Sequence, residues 1–214
     1  MPDQSDLQEI SGRLERGEID SAVFLDQLMR FVAAQIGCPR TGLRLLIDGP
    51  SGRTLRCAAM YDATVDRMIG AADISHGPDE PYFERLLHDG SVTMMRKPDD
   101  PVNVGALGEY LAAGDITAVM DMSFSVNGVL YGAFTCEQLG EPVEWTQRQL
   151  QALRRIASRA SLTLMHVISM AVDTTTARPM ATMPLPLAAQ TATPMGAYRR
   201  HTAHRLTKAC SSVV

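Results

Sequence analysis

The chain has 214 residues, 45% of them hydrophobic, and a formal charge of −4, values that suit one soluble domain with added segments. No apolar run approaches the roughly 20 residues that cross a bilayer, and the acidic first twenty residues lack the apolar stretch of a secretory signal. A cytoplasmic protein with no membrane contact is expected. The five basic residues beyond Asp173, with no acid among them, leave residues 1–173 at −9; nucleic-acid binding by this body is therefore not expected.

In chain order, Ser5-Asp6-Leu7-Gln8 reads as a capping box opening a short polar helix. Asp20 then caps a firmer helix whose apolar face runs Val23, Leu25, Leu28, Met29, Val32, Ala33 and Ile36, stopped at Gly37 with Pro39 beyond. Leu43–Asp48 and Thr54–Tyr61 form a hairpin around Gly49-Pro50-Ser51-Gly52. A loop covers residues 62–78, and Asp79-Glu80-Pro81 opens a short helix through Tyr82, Phe83, Leu86 and Leu87 that stops at Gly90. Ser91–Met95 is a third strand, Lys97–Pro101 a loop, and Val104–Ala113 a second short helix.

The firmest local signal follows. Ala118–Val126 and Val129–Glu137 flank Asn127-Gly128, the dipeptide best suited to a two-residue type I′ turn. Trp145-Thr146 leads into a long helix reaching about Val172, and the Thr-, Ala-, Pro- and Met-rich tail beyond has no period and is expected to be disordered. The expected organisation is a polar extension over 1–19, one domain over 20–173 and a tail over 174–214. Hairpins force antiparallel pairing, and helices at both ends of the domain can cover one sheet face. The fold class is α+β: a central antiparallel sheet, terminal helices on one face, and short helices over a pocket on the other.

A regular two-residue hairpin pairs Val126 with Val129 and outward from there. One face then holds Met120, Met122, Phe124, Tyr131, Ala133 and Thr135, suited to packing under the terminal helices. The other holds Val119, Asp121, Ser123, Ser125, Leu130, Gly132, Phe134 and Cys136, apolar walls with a few polar groups, as in a small-molecule pocket. With a roof from residues 62–114, the pocket candidates are Tyr82, Tyr110, Val119, Asp121, Ser123, Phe134 and Cys136. Against this stands a plainer reading, in which Asp121 bonds only loop backbone and the serines are incidental.

On the long helix, Leu150, Leu153, Ala157, Ala160, Leu164, Val167 and Ala171 keep unbroken three-four spacing. Such a heptad seam, with Ala permitting close approach, is expected to pair with a second copy, while Ile156, Leu162 and Ile168 sit on the sheet. A buried helix with an accidental heptad is the competing explanation. Cys38, Cys57, Cys136 and Cys210 lack C-x-x-C spacing, so neither a zinc site nor a disulfide framework is expected. The first three are read as buried small hydrophobes and Cys210 as an exposed thiol.

Residues 81–165 resemble the GAF family, especially its members in bacterial sensor kinases and cyclase-type signalling proteins. The resemblance rests on Pro81-Tyr82-Phe83, Ser91-Val92-Thr93, Glu109-Tyr110-Leu111, Gly114-Asp115-Ile116-Thr117-Ala118 and Met120-Asp121. It continues through Asn127-Gly128, Tyr131-Gly132-Ala133, Glu137, Gly140 and Trp145-Thr146. It implies about six antiparallel strands, helices on one side, a ligand pocket on the other, and dimerisation through the terminal helices. A downstream signalling protein that reads a ligand-driven shift in the packing of Leu150 to Ala171 is a separate hypothesis. Two positions depart from the family pattern: Ser123 stands where a proline is usual, and Cys136 where a histidine often precedes the glutamate.

The expected function is therefore a non-enzymatic sensor that binds a small molecule, with its cofactor unknown and no catalytic or metal-ligating residue assigned. A dimerisation scaffold whose pocket is plugged by Met60, Met94, Met120 and Met122 is the alternative. A thiol enzyme of the free methionine sulfoxide reductase kind would need Cys57 and Cys136 as neighbours. No G-x-S-x-G, H-E-x-x-H or phosphate-binding glycine loop is present. His76 and His88 are read as solvated.

Overall fold

The computed structural model describes residues 4–49, 52–75, 81–95 and 105–176. The Pro50-Ser51 turn, His76, the loop 97–101, the side chains of Met94 and Ala171, and the tail beyond residue 176 with Cys210 lie outside the described residues.

Among the described residues, five helices and seven strands follow the order α1 (Gln4–Glu15), α2 (Ser21–Ile36), β1 (Arg40–Gly49), β2 (Gly52–Asp62), β3 (Arg67–Met68), β4 (Ile74–Ser75), α3 (Pro81–His88), β5 (Ser91–Met95), α4 (Gly105–Ala113), β6 (Ile116–Val126), β7 (Val129–Leu139) and α5 (Gln147–Thr176). The sheet order is β3-β2-β1-β7-β6-β5, with β4 also on β2, and every pairing is antiparallel. The short strands β3 and β4, each two residues long, fall in the segment read from sequence as loop. Nothing in their local pattern marks them; they exist because β2 offers them an edge.

The local signals explain the element ends. The Asp20 side chain accepts from the Val23 N–H at 2.8 Å, capping α2, and Gly37 ends the helix at φ 73°. Asn127 and Gly128 take φ 52° and 76°, the positive values that a type I′ turn requires.

Two cores lie on opposite sheet faces. On one, α1, α2 and α5 cover Leu43, Ala59, Tyr61, Met120, Met122, Phe124, Phe134 and Cys136. On the other, α3 and α4 bring Tyr82, Phe83, Leu86, Leu107 and Leu111 onto Leu55, Val119 and Ala133. The terminal helix α1 is less polar than its sequence implies, because Leu7 is buried and Ile10 and Leu14 pack against the first core.

The seam on α5 is used inside the chain. Leu153, Ala157, Ala160, Leu164 and Val167 are all buried in the first core, and half-buried Leu150 packs against it. The five buried side chains face the chain's own core, while Leu150 keeps part of its surface exposed. Leu162, expected on the sheet, is instead 66% exposed. The three-four spacing was real, but it reports one apolar stripe, and the sheet gains that stripe first.

Candidate functional site

Hairpin register decides which side chains meet. Val126 pairs Val129 and Ser125 pairs Leu130, as a regular turn dictates, but Phe124 then pairs Gly132. Tyr131 is the extra residue of a β-bulge. Because side chains alternate with period two, one inserted residue turns the rest of β7 over. Phe134 and Cys136 consequently lie under α2 and α5, not in the pocket, while Ala133 and Thr135 move to the pocket side. This corrects both assignments.

The face under α3 and α4 is a three-by-three grid. Arg40, Gly42 and Arg44 on β1 stand beside Glu137, Thr135 and Ala133 on β7, and those beside Val119, Asp121 and Ser123 on β6. Neighbouring strands are about 4.8 Å apart and alternate residues about 7 Å, so these nine positions form one compact patch. Thr135 stands at its centre; Gly42, in the middle of the β1 column, leaves room that Met60 fills. A Cβ at Gly42 would come within 2.7 Å of the Met60 methyl and 2.8 Å of Thr135 Cγ2. Met60 lies on this face, whereas Met120 and Met122 belong to the helix-covered core.

Charged groups crowd the patch. Arg44 is 1% exposed, and its Nη1 donates to the Ala72 carbonyl at 2.8 Å. The guanidinium carbon stacks 4.5 Å from the centre of the Tyr110 ring. Its Nη2 lies 3.9 Å from Glu137 Oε1, and Arg40 Nη1 lies 3.7 Å from Glu137 Oε2. Tyr110 donates its phenol to Glu137 Oε1 at 2.5 Å. Tyr82 donates to Asp121 Oδ2 at 2.6 Å, and Thr135 also bonds the Asp121 carboxylate.

Burial sets the electrostatics. It pushes the Asp121 carboxyl above its usual range, with Thr135 and Tyr82 pulling back. It does the same to Glu137, against the Tyr110 hydrogen bond and the charges of Arg44 and Arg40. Burial works against the Arg44 charge too, but Tyr110 and Glu137 beside it hold it ionised. Desolvation raises the phenols of Tyr82 and Tyr110, which stay protonated donors.

Four buried polar atoms of this patch have no hydrogen-bond partner: Arg44 Nε and Nη2, Asp121 Oδ1 and Glu137 Oε2. The charges of Arg44 and Glu137 are paired, with Arg40 as a second cation, but a buried polar atom without a hydrogen bond is still costly. Beside the patch, Arg40, Ile69, Gly70, Ala71, Ala72, Tyr110, Ala113 and Gly114 line a depression of about 200 Å³. Tyr110 and Arg40 belong to both, so the depression adjoins the charged network.

Of the seven pocket candidates, five share this face. Tyr82, Tyr110, Val119 and Asp121 meet there, and Ser123 joins them in the grid. Its hydroxyl donates to the Gly90 carbonyl at 3.0 Å, tying down the turn after α3. Arg44 and Glu137 escaped the sequence reading. Arg44 sits in an apolar run that reads as a core strand, and its long-range partners are 66 and 93 positions away. An arginine between leucines at Leu43-Arg44-Leu45 was the available signal. Cys57 pairs with Arg44 on this side while Cys136 faces the helices, so the two thiols are separated by the sheet and cannot work as a pair. His88 is exposed. Among the described residues, no cluster of His, Cys, Asp and Glu could hold a metal ion, and no helix is long and apolar enough to cross a membrane.

The GAF domain profile matches residues 20–164, more than half of the chain. The protein belongs to the GAF family. Solved structures agree on the fold. The phycocyanobilin-bound GAF domain of a cyanobacterial phytochrome is 16% identical with a TM-score of 0.57, covering 80% of this chain and 97% of its own. The phycoerythrobilin-bound GAF domain from a cyanobacterial phytochrome is 15% identical at 0.56, covering 80% and 98%. The cyanobacteriochrome TePixJ GAF domain is 15% identical at 0.53, covering 70% and 92%. No curated protein matches the chain.

One prediction arises from the site itself. Asp121 has no cation within ion-pair distance among the described residues, and burial raises its folded pKa. A carboxyl with a raised folded value stabilises fully below its unfolded pKa of about 3.9 and loses that contribution as pH rises through the folded value. Asp121→Asn should therefore gain on the parent in melting temperature between about pH 4 and pH 8. An offset that stays constant over that range would show that the carboxylate carries no burial penalty.

Proposed function

We propose that this GAF domain is a sensor that binds a small polar molecule between the sheet and the roof of α3 and α4. The observation that carries this reading is the set of four buried polar atoms without a hydrogen bond on Arg44, Asp121 and Glu137. Natural interiors satisfy almost every such group, and a ligand that bonds them recovers the penalty they otherwise impose. The solved GAF domains with bound phycocyanobilin and phycoerythrobilin support ligand binding as the use of this architecture.

A bilin does not fit the described residues. The middle of the face is closed by Met60 and by the network of Arg44, Glu137 and Tyr110, and the adjoining depression of about 200 Å³ is below the roughly 300–1,000 Å³ usual for ligand pockets. Cys38 and Cys136 lie on the far side of the sheet. The occupant is smaller than a tetrapyrrole. The domain acts as a regulatory module, without catalysis, in a cytoplasmic signalling protein. Its output passes through α5, whose outward face presents Leu162 and the exposed Arg148, Arg155 and Arg159 to a second copy or to a downstream protein.

A scaffold reading is favoured by one observation: Met60 is fully buried against Gly42 on this face. Native mass spectrometry of protein purified from its own host, compared with denatured protein, separates the two. A small molecule released on denaturation supports the sensor. Chain mass alone, with no shift in melting temperature on adding a metabolite extract, overturns it.

A further inference from the structure

We infer that the ligand is a small amino acid, held as a zwitterion with its carboxylate on Arg44 and its ammonium toward Asp121 and Glu137; this rests on the sensor reading above.

The guanidinium has two kinds of donor edge. Here Nη1 is taken by the Ala72 carbonyl, and the planar face is stacked on Tyr110. What remains without a hydrogen bond is Nε with Nη2, the latter 3.9 Å from Glu137 Oε1. These two N–H groups share one edge and point in parallel, the fork that matches the two oxygens of a carboxylate. A single carbonyl oxygen would meet that fork less well. The stacked, anchored guanidinium cannot rotate to offer another edge without losing both contacts.

The surrounding charge excludes a plain anion. Glu137 Oε1 stands 3.9 Å from Nη2, and Asp121 lies two strands over and one row along in the same grid. An anion alone on the fork would face Glu137 at once, with Asp121 farther along the same face. A cation alone would answer Asp121 Oδ1 and Glu137 Oε2 but leave the fork orphaned. Only a molecule with a bidentate acceptor and a donor group a few atoms apart meets both demands. Met60 is the movable part: its flexible side chain can yield the space beside Gly42. The nearby depression of about 200 Å³ sets the scale to a small side chain.

The test is a melting-temperature and calorimetric survey of the full chain with each of the twenty common L-amino acids, added singly. Any binder is then compared with its des-amino acid and its decarboxylated amine. The expected result is that at least one amino acid binds, and that either truncation weakens binding at least about 100-fold, because each leaves buried partners unpaired. Arg44→Lys should weaken it similarly, the point charge lacking the fork. Equal binding of the des-amino acid overturns the zwitterion. If no amino acid binds but a metabolite extract shifts the parent and not Arg44→Lys, the amino-acid class fails while the sensor reading stands. If neither the amino acids nor the extract shifts the parent, both fail.

Discussion

Arg44→Met is expected to lower stability by about 3–5 kcal/mol, because it strands a buried carboxylate beside an emptied cation site. Glu137 is fully buried and shares its charge with Arg44 and the more exposed Arg40. Removing Arg44 also takes away the face that stacks on Tyr110 and the bond to the Ala72 carbonyl. The second half of the experiment separates pairing from packing. Arg44→Met combined with Glu137→Leu removes both charges, and replacing a whole buried pair by apolar groups is often neutral. Urea unfolding should therefore show the double variant more stable than Arg44→Met alone. A single variant within about 1 kcal/mol of the parent would mean that Glu137 draws its compensation elsewhere.

The second large effect is at Gly132. A Cβ there would lie 2.0 Å from the Arg44 carbonyl oxygen and 3.0 Å from both Arg44 C and Leu45 Cα. All three are backbone atoms of the neighbouring strand, so no side-chain rotation can relieve the contact. Strands β1 and β7 are the central pair of the sheet and carry the two ends of the charged network. Gly132→Ala is expected to cost about 3 kcal/mol, at the upper end of overpacking, and to move the amide resonances of Arg44 and Leu45. Gly70→Ala is the control. Nothing lies within 4 Å of a Cβ at Gly70, so its effect should stay within about 0.5 kcal/mol. Equal melting temperatures for the Gly132 variant and the parent would show that the strands can separate freely here.

Both predictions concern groups that the hairpin bulge and the sheet order bring together. The pocket face illustrates the difference between local and tertiary information. Asn127-Gly128 fixed the turn type and the first two pairs of the hairpin, and both are as its chemistry requires. The bulge at Tyr131 was not visible, because no local preference marks it and the β1 backbone against Gly132 is contributed from 87 positions earlier. One residue of slip then exchanged Phe134 and Cys136 for Thr135 and Glu137 on the pocket side. The tyrosines and Asp121 survived the slip: α3 and α4 bring Tyr82 and Tyr110 from the roof, and Asp121 lies on β6, away from the bulged strand.

Sequence alone determined the α+β class, the GAF family resemblance, the capped ends of α2, both hairpins and the existence of a long apolar-striped α5. These follow from short-range chemistry: side-chain period, cap hydrogen bonds and the positive backbone angles open to Gly and Asn. Tertiary structure alone decided what those stripes touch. It placed Leu153, Ala157, Ala160 and Leu164 against the chain's own sheet, separated Cys57 from Cys136, and buried Arg44 beside Glu137. An apolar stripe carries no record of which apolar surface will cover it, since hydrophobic burial is not directional. A buried ion pair between distant strands leaves no periodic trace at all.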